Sequence, residues 1–167
     1  QNNTGGPVLE VGNVLGHYGI AGHAVLDMYE TAQGVINEDI VHYEAPGKYS
    51  LIVTISTLEH VGFDEDVRAP EKTLQSFRSI HRLLADGGRL FMTVPLGYNP
   101  HLDDVLRSGA VKFSRHLILR RANRCNAWVE SSWEEAATAR YEHPYPSANF
   151  IFAGYYTKEG VGRLVVD

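Results

Sequence analysis

A chain of 167 residues with a formal net charge of −5, 44% hydrophobic and 21% charged residues is long enough to bury a core of its own as one domain, and its ordinary composition excludes disordered and coiled-coil classes. The charge balance argues against a nucleic-acid partner, because phosphate binding needs clustered Lys and Arg; the one basic cluster, Arg115 to Arg124, fits a solvated face as well as an anionic ligand. A single cysteine, Cys125, excludes a disulfide framework within the chain and a cysteine zinc site, fits a reducing, cytoplasmic setting, and no apolar run has the length of a membrane span.

The first seven residues, Gln1 to Pro7, are polar and glycine-containing and do not read as a signal peptide. They run straight into an apolar stretch, so a preceding segment is expected to lie outside this numbering. Val8 to Val11 reads as a buried strand ending at Gly12, Ala24 to Met28 as a second strand ending near Asp27, and Gly34 to Ile36 as a short third. Tyr49 to Ile55 is the clearest strand: continuous, β-branched and uncharged, as a strand covered on both faces should be. From Pro70 to Leu84 the spacing turns helical, with Leu74, Phe77, Ile80 and Leu84 on one face. Asp86-Gly87-Gly88 is expected to stop that helix, and Arg89 to Val94 forms the next strand, closed by Pro95. Strand, helix and strand make a βαβ unit, and hence a parallel sheet. Further on, Leu102 to Leu106 and Ser131 to Tyr141 look helical; Phe113 to Arg121 and Asn149 to Tyr156 look like strands, the latter an antiparallel edge pair. No internal repeat or low-complexity linker interrupts the chain.

Two acidic positions stand at the carboxyl ends of strands, where open α/β sheets bind ligands. Glu10 lies inside the first strand, just ahead of Gly12 and Gly16, and glycine lets a backbone approach a ligand closely. Asp27 ends the second strand, where a carboxylate can accept from both hydroxyls of a ribose or stand solvated; Glu30 is the alternative.

With the segments that follow, the pattern becomes specific. Val8 to Gly16 resembles the first motif of the class I S-adenosylmethionine (SAM)-dependent methyltransferases, in their small-molecule branch. "YSLIVTISTLEHVG", Tyr49 to Gly62, is similar to their fourth-strand motif, and "LLADGGRLFMTVP", Leu83 to Pro95, to their helix stop and fifth strand. The resemblance covers roughly residues 8–95. It implies a Rossmann-like, mostly parallel α/β sheet of about seven strands and methyl transfer from SAM. Here the helices between the first three strands must be reduced: about a dozen residues, with Gly16, Gly19 and Gly22 among them, separate Val11 from Ala24. One sheet face would then be thinly covered: either another subunit or a preceding segment covers it, or the pocket is unusually open, and a homo-oligomer is the expectation.

Carried over, the resemblance places Glu10 and Gly12 by the methionine end of SAM, with Asn13 beside them. Asp27 would hold the ribose, Asp39 the adenine amine, and Ile40 the ring; Ser56 and Thr57 would close the pocket under the methyl donor. Glu59 and His60 follow the fourth strand, where the methyl group is presented. A histidine suits a general base near neutral pH, and it equally suits a structural Glu-His pair bracing the loop. A divalent-metal variant, with Mg²⁺ on Glu59, His60 and His101, is the minor alternative, since Ser56 stands where such relatives carry Glu. Tyr98 and Asn99 after the fifth strand, and Tyr145 near the C-terminus, are the candidates for acceptor contact.

The function expected is therefore O-methylation of a small, polyhydroxylated, sugar-like acceptor. Two rivals stand beside it. A nicotinamide-dependent oxidoreductase needs a Gly-x-Gly-x-x-Gly turn and a following helix, which Gly12 to Gly16 lacks. A non-catalytic binding or assembly module of the same fold is supported by the shortened first half.

Overall fold

The computed structural model describes residues 6–159 and 164–165; the segment Gln1 to Gly5 lies outside them. Three short strands come first: β1 (Val8–Val11), β2 (Ala24–Leu26) and β3 (Val35–Ile36). Then come β4 (Tyr49–Ile55), helix α1 (Glu71–Leu83), β5 (Leu84–Pro95) and helix α2 (Pro100–Ser108). The chain closes with β6 (Arg115–Arg121), β7 (Trp128–Ser131), the single turn α3 (Trp133–Ala136) and β8 (Phe150–Thr157).

All strands join one eight-stranded sheet in the order β3-β2-β1-β4-β5-β8-β6-β7. The pairs from β3 to β5 are parallel; β8 runs antiparallel between β5 and β6. This is the expected Rossmann-like α/β sheet, with one strand beyond the expected seven. The extra strand is β7, a hairpin partner of β6. The last strand is interior, not the edge strand expected from its sequence.

Alternation along the strands decides what is buried. Leu9, Ile52, Leu90, Met92, Val94 and Phe152 point to one face and are 0–2% exposed. Helix α1 packs there because Phe77, Ile80 and Leu83 recur at three-residue spacing and meet that core. On the opposite face Leu51, Val53 and Ile55 of β4 are only half-buried. Phe91, Leu117 and Tyr155 on the strands beyond are 42%, 49% and 36% exposed. The expectation that β4 is covered on both faces therefore fails. An uncharged strand run reports burial on one face and only apolar character on the other.

The thin cover follows from the connections. Between β1 and β2 there is one 3-10 turn, Leu15–Tyr18, and no helix joins β2 to β3. Two further expectations change. Helix α1 ends because Leu84 is already extended, two residues before Asp86-Gly87-Gly88. The glycines instead form a bulge in β5, Gly87 at φ 74°, where the pairing slips from Tyr49–Leu84 to Leu51–Arg89. The helix read over Ser131 to Tyr141 shrinks to α3, since Ser131 still belongs to β7. Among the described residues no helix is long and apolar enough to cross a membrane.

Candidate functional site

The strand order reverses between β1 and β4, and a cavity of about 410 Å³ opens at that point, the place where open α/β sheets take ligands. Gly12, Asp27, Asp39, Ile40, Thr57 and His60 line it. All six were expected from the sequence, Thr57 beside Ser56.

Each wall residue is set by its strand end. Gly12 follows β1 at φ 91°, and its N–H donates to Leu26 O at 2.9 Å. A Cβ at this position would stand 2.2 Å from Thr57 Oγ1, so the two strand ends meet only because residue 12 has no side chain. Asp27 follows β2, and its Oδ1 accepts from the N–H groups of Tyr29 and Glu30, both at 2.9 Å. That turn fixes the carboxylate at the cavity wall and leaves Oδ2 for a ligand. Asp39 is more heavily engaged. Val41 N–H donates to its Oδ1 at 2.9 Å and the Lys72 ammonium to its Oδ2 at 2.7 Å. Burial pushes the Asp39 carboxyl up, but the Lys72 and Val41 hydrogen bonds outweigh it and hold it low. Lys72 also bonds Glu65 at 2.7 Å, which ties α1 to the cavity loop.

Other predicted contacts lie off the cavity. Glu10 is 1% exposed, and its carboxylate accepts from the N–H groups of Val14 and Leu15 at 2.7 Å and meets the His23 ring at 2.8 Å. It braces the β1–β2 turn. Asn13 and Ser56 do not line the cavity; Ser56 takes the strained φ of 47° that turns the chain out of β4.

The segment after β4 carries the chemistry. His60 and Asp64 face each other across one helical turn, Asp64 N–H donating to His60 O at 3.1 Å. His60 Nδ1 lies 2.5 Å from Asp64 Oδ2, and Tyr98 O–H donates to the same oxygen at 2.6 Å. Burial raises the Asp64 carboxyl, but its bonds to His60 and Tyr98 prevail and hold it low. Burial and the Asp64 bond push the Tyr98 hydroxyl well above its ordinary range. Tyr98 is thereby a proton donor to Asp64. Asp64 itself escaped the sequence reading, although the His-x-x-x-Asp spacing was visible.

Glu59 is 2% exposed, its Oε1 is 3.8 Å from His60 Nε2 and its Oε2 has no hydrogen-bond partner. Burial pushes this carboxyl up to about 8, so it is neutral at pH 7. Asn99 is 2% exposed and fully occupied. Its Nδ2 donates to Glu59 O, and its Oδ1 caps α2 by accepting from the N–H groups of His101 and Leu102. Tyr145 lies by the β6–β7 hairpin, under the Arg121 guanidinium at 5.3 Å. None of Tyr98, Asn99 and Tyr145 lines the cavity; Tyr98 meets a residue that does, its ring centroid lying 5.0 Å from that of His60. The metal alternative also fails on geometry. His101 lines a separate cleft with Phe63 and Arg68, and among the described residues no three His, Cys, Asp or Glu side chains are placed to hold an ion.

No family model matches the chain, and no curated protein matches its sequence. Solved structures do match its fold. NodS, an N-methyltransferase from Bradyrhizobium japonicum WM9 solved with S-adenosyl-L-homocysteine, superposes with a TM-score of 0.55 at 11% identity, over 93% of this chain and 79% of NodS. The 1,6-didemethyltoxoflavin-N1-methyltransferase of Burkholderia thailandensis gives 0.54 at 14% identity, over 93% and 72% of the two chains. A possible histamine N-methyltransferase from Thermotoga maritima gives 0.52 at 14%, over 92% and 82%. The chain has the fold of the class I SAM-dependent methyltransferases.

Proposed function

We propose that the chain is a SAM-dependent methyltransferase that acts on a small-molecule acceptor, with His60 as the general base. The observation that carries this reading is the convergence of Asp27, Asp39 and Ile40 on one cavity that His60 also lines. The residues fit the cofactor chemically: a fixed carboxylate with a free oxygen suits vicinal hydroxyls, an apolar side chain suits a base, and an acidic wall suits a sulfonium. SAM supplies an activated methyl group. The chain's residues hold it, orient the acceptor and take up the acceptor's proton. Much of the acceleration in such a displacement is positioning.

A hydroxyl acceptor is favoured, because a hydroxyl must shed a proton to become a good nucleophile and a neutral amine need not. The cavity supports no more detail than that. With Tyr98, Asn99 and Tyr145 all off the cavity lining, a sugar-like acceptor has none of its three expected contacts there. The expected homo-oligomer and cytoplasmic setting remain part of this proposal.

Calorimetry with SAM, S-adenosylhomocysteine and NAD(P) is the direct test. Binding of the first two with no binding of NAD(P) supports the reading. Absence of SAM binding removes it and favours a non-catalytic module. A radiolabelled-methyl assay over a panel of hydroxyl and amine acceptors then decides the acceptor atom.

A further inference from the structure

We infer that Asp64 is a positioning residue that fixes His60, a cavity-lining side chain, with its proton on Nδ1 and leaves Nε2 as the proton acceptor. The inference rests on the methyltransferase reading for its purpose, but its geometry stands apart from it. A carboxylate can only accept hydrogen bonds. Asp64 Oδ2 lies 2.5 Å from His60 Nδ1 and 2.6 Å from the Tyr98 hydroxyl, so both partners must be donors. That assigns a proton to Nδ1. Nε2, in the neutral ring, is then the acceptor. The Glu59 carboxyl, neutral at pH 7, holds its Oε1 3.8 Å from Nε2, beyond hydrogen-bond distance.

The cluster holds this arrangement from three sides. The helical turn from His60 to Asp64 sets the spacing. Tyr98 packs edge-on to the imidazole at 5.0 Å between centroids and is itself held by Tyr141 at 4.8 Å. Gly62, at φ 72°, closes the loop on Ala69, whose N–H donates to Gly62 O at 2.8 Å. With the ring held, the proton step is defined. The acceptor's X–H proton moves to Nε2 and its electron pair stays on X to form the bond to the methyl carbon; a bound SAM would supply the methyl group, its methyl C–S bond breaking with the electron pair left on the sulfur of S-adenosylhomocysteine. The imidazolium produced lies against the Asp64 carboxylate, which offsets its charge. The proton then leaves to water from a side chain that is 46% exposed.

The test does not require the acceptor. Nitrogen-15 NMR of the histidine rings, above the pH at which they are protonated, reports which nitrogen carries the proton. The expected result is Nδ1–H for His60 in the wild type and a shift towards Nε2–H in Asp64→Ala, the form an unconstrained imidazole prefers. Asp64→Asn, which keeps an acceptor oxygen without the charge, should restore Nδ1–H. It also serves if Asp64→Ala fails to fold. Nε2–H in the folded wild type, or the same spectrum in Asp64→Ala, would overturn the inference. With an acceptor in hand, Asp64→Asn should lower kcat about 10- to 100-fold, a part of what general-base catalysis supplies, and leave SAM affinity within about twofold. An unchanged kcat in that variant would overturn the positioning role. A wild type with Nδ1–H but no SAM binding would sink the functional reading alone.

Discussion

Gly12 and Thr57 touch across the floor of the cavity: a methyl group on residue 12 would stand 2.2 Å from Thr57 Oγ1 and 3.1 Å from its Cβ. The φ of 91° at Gly12 adds a second reason for glycine, because side chains are strained there. Gly12→Ala should therefore weaken SAM binding by at least about tenfold, or about 1.4 kcal/mol, and lower the melting temperature. Adding Thr57→Ala should recover part of the loss, since it removes Oγ1 and leaves the φ strain. Calorimetry and thermal melting on the single and double variants check this. Full affinity in Gly12→Ala would mean that the floor is not where the ligand sits.

Asp27 offers a sharper test of ligand recognition, because its two oxygens have separate tasks. Oδ1 holds the turn through Tyr29 and Glu30, which leaves Oδ2 of this cavity-lining residue for a ligand. Asp27→Ala should cost about 1–3 kcal/mol of SAM affinity, the penalty for leaving buried hydrogen-bonding groups unpaired. Asp27→Asn keeps an acceptor for the turn and should lose less. Equal affinity in the wild type and Asp27→Ala, both folded, would remove Asp27 from the site and turn attention to Glu30 on the same wall.

The half of the chain that builds the site was legible in its sequence, for a physical reason. Parallel strands such as β4 are apolar runs that stop at a glycine or a polar residue, so the run itself points at the ligand edge. Gly12 and Asp27 were found that way, and Asp39, Ile40 and His60 through the resemblance to the methyltransferase motifs; the structure brings all five to one cavity. What stayed hidden depends on contacts between distant segments. Nothing in Trp128–Ser131 announces a strand until β6 is beside it. Glu10 and Asp39 are plain carboxylates in sequence, and only the fold shows their oxygens engaged by His23 and Lys72. Asn99 was readable and misjudged. An Asn followed by Pro is a helix-start signal, and the structure uses it as one.

The open sheet face gives the expected self-association a place. Register puts Phe91, Tyr155 and Leu117 side by side on it, with Arg115 opposite Tyr155 and Glu130 opposite Leu119. If a second copy packed here about a two-fold axis that set the arginine of one against the glutamate of the other, it would cover this surface. Light scattering should give a dimer, and Leu117→Glu should dissociate it without lowering SAM affinity. A wild type that stays monomeric at all concentrations would leave the face without this role.

The buried Glu59 carboxyl makes stability depend on pH in a direction that can be stated beforehand. Burial, offset in part by its own backbone N–H and reinforced by Asp64, raises it to about 8 from an ordinary 4.5. Between those values the folded chain holds a proton that the unfolded chain does not. Stability is therefore full below about pH 4.5 and erodes as pH climbs to about 8. Asp103, raised to about 6 mainly by burial, adds the same slope over a lower window. Asp39 and Asp64, held low, act oppositely and cost stability only as pH falls below the ordinary carboxylate range. Glu59→Gln has no proton to lose. Its melting temperature should vary less with pH than that of the wild type, and the difference between pH 5 and pH 8 should shrink by at least about 2–4 °C, the equivalent of about 1 kcal/mol in a chain of this size. Because the slope is compared, a constant offset from the amide does not matter. Parallel curves for the two proteins would show that Glu59 ionises normally and does not face a dry interior.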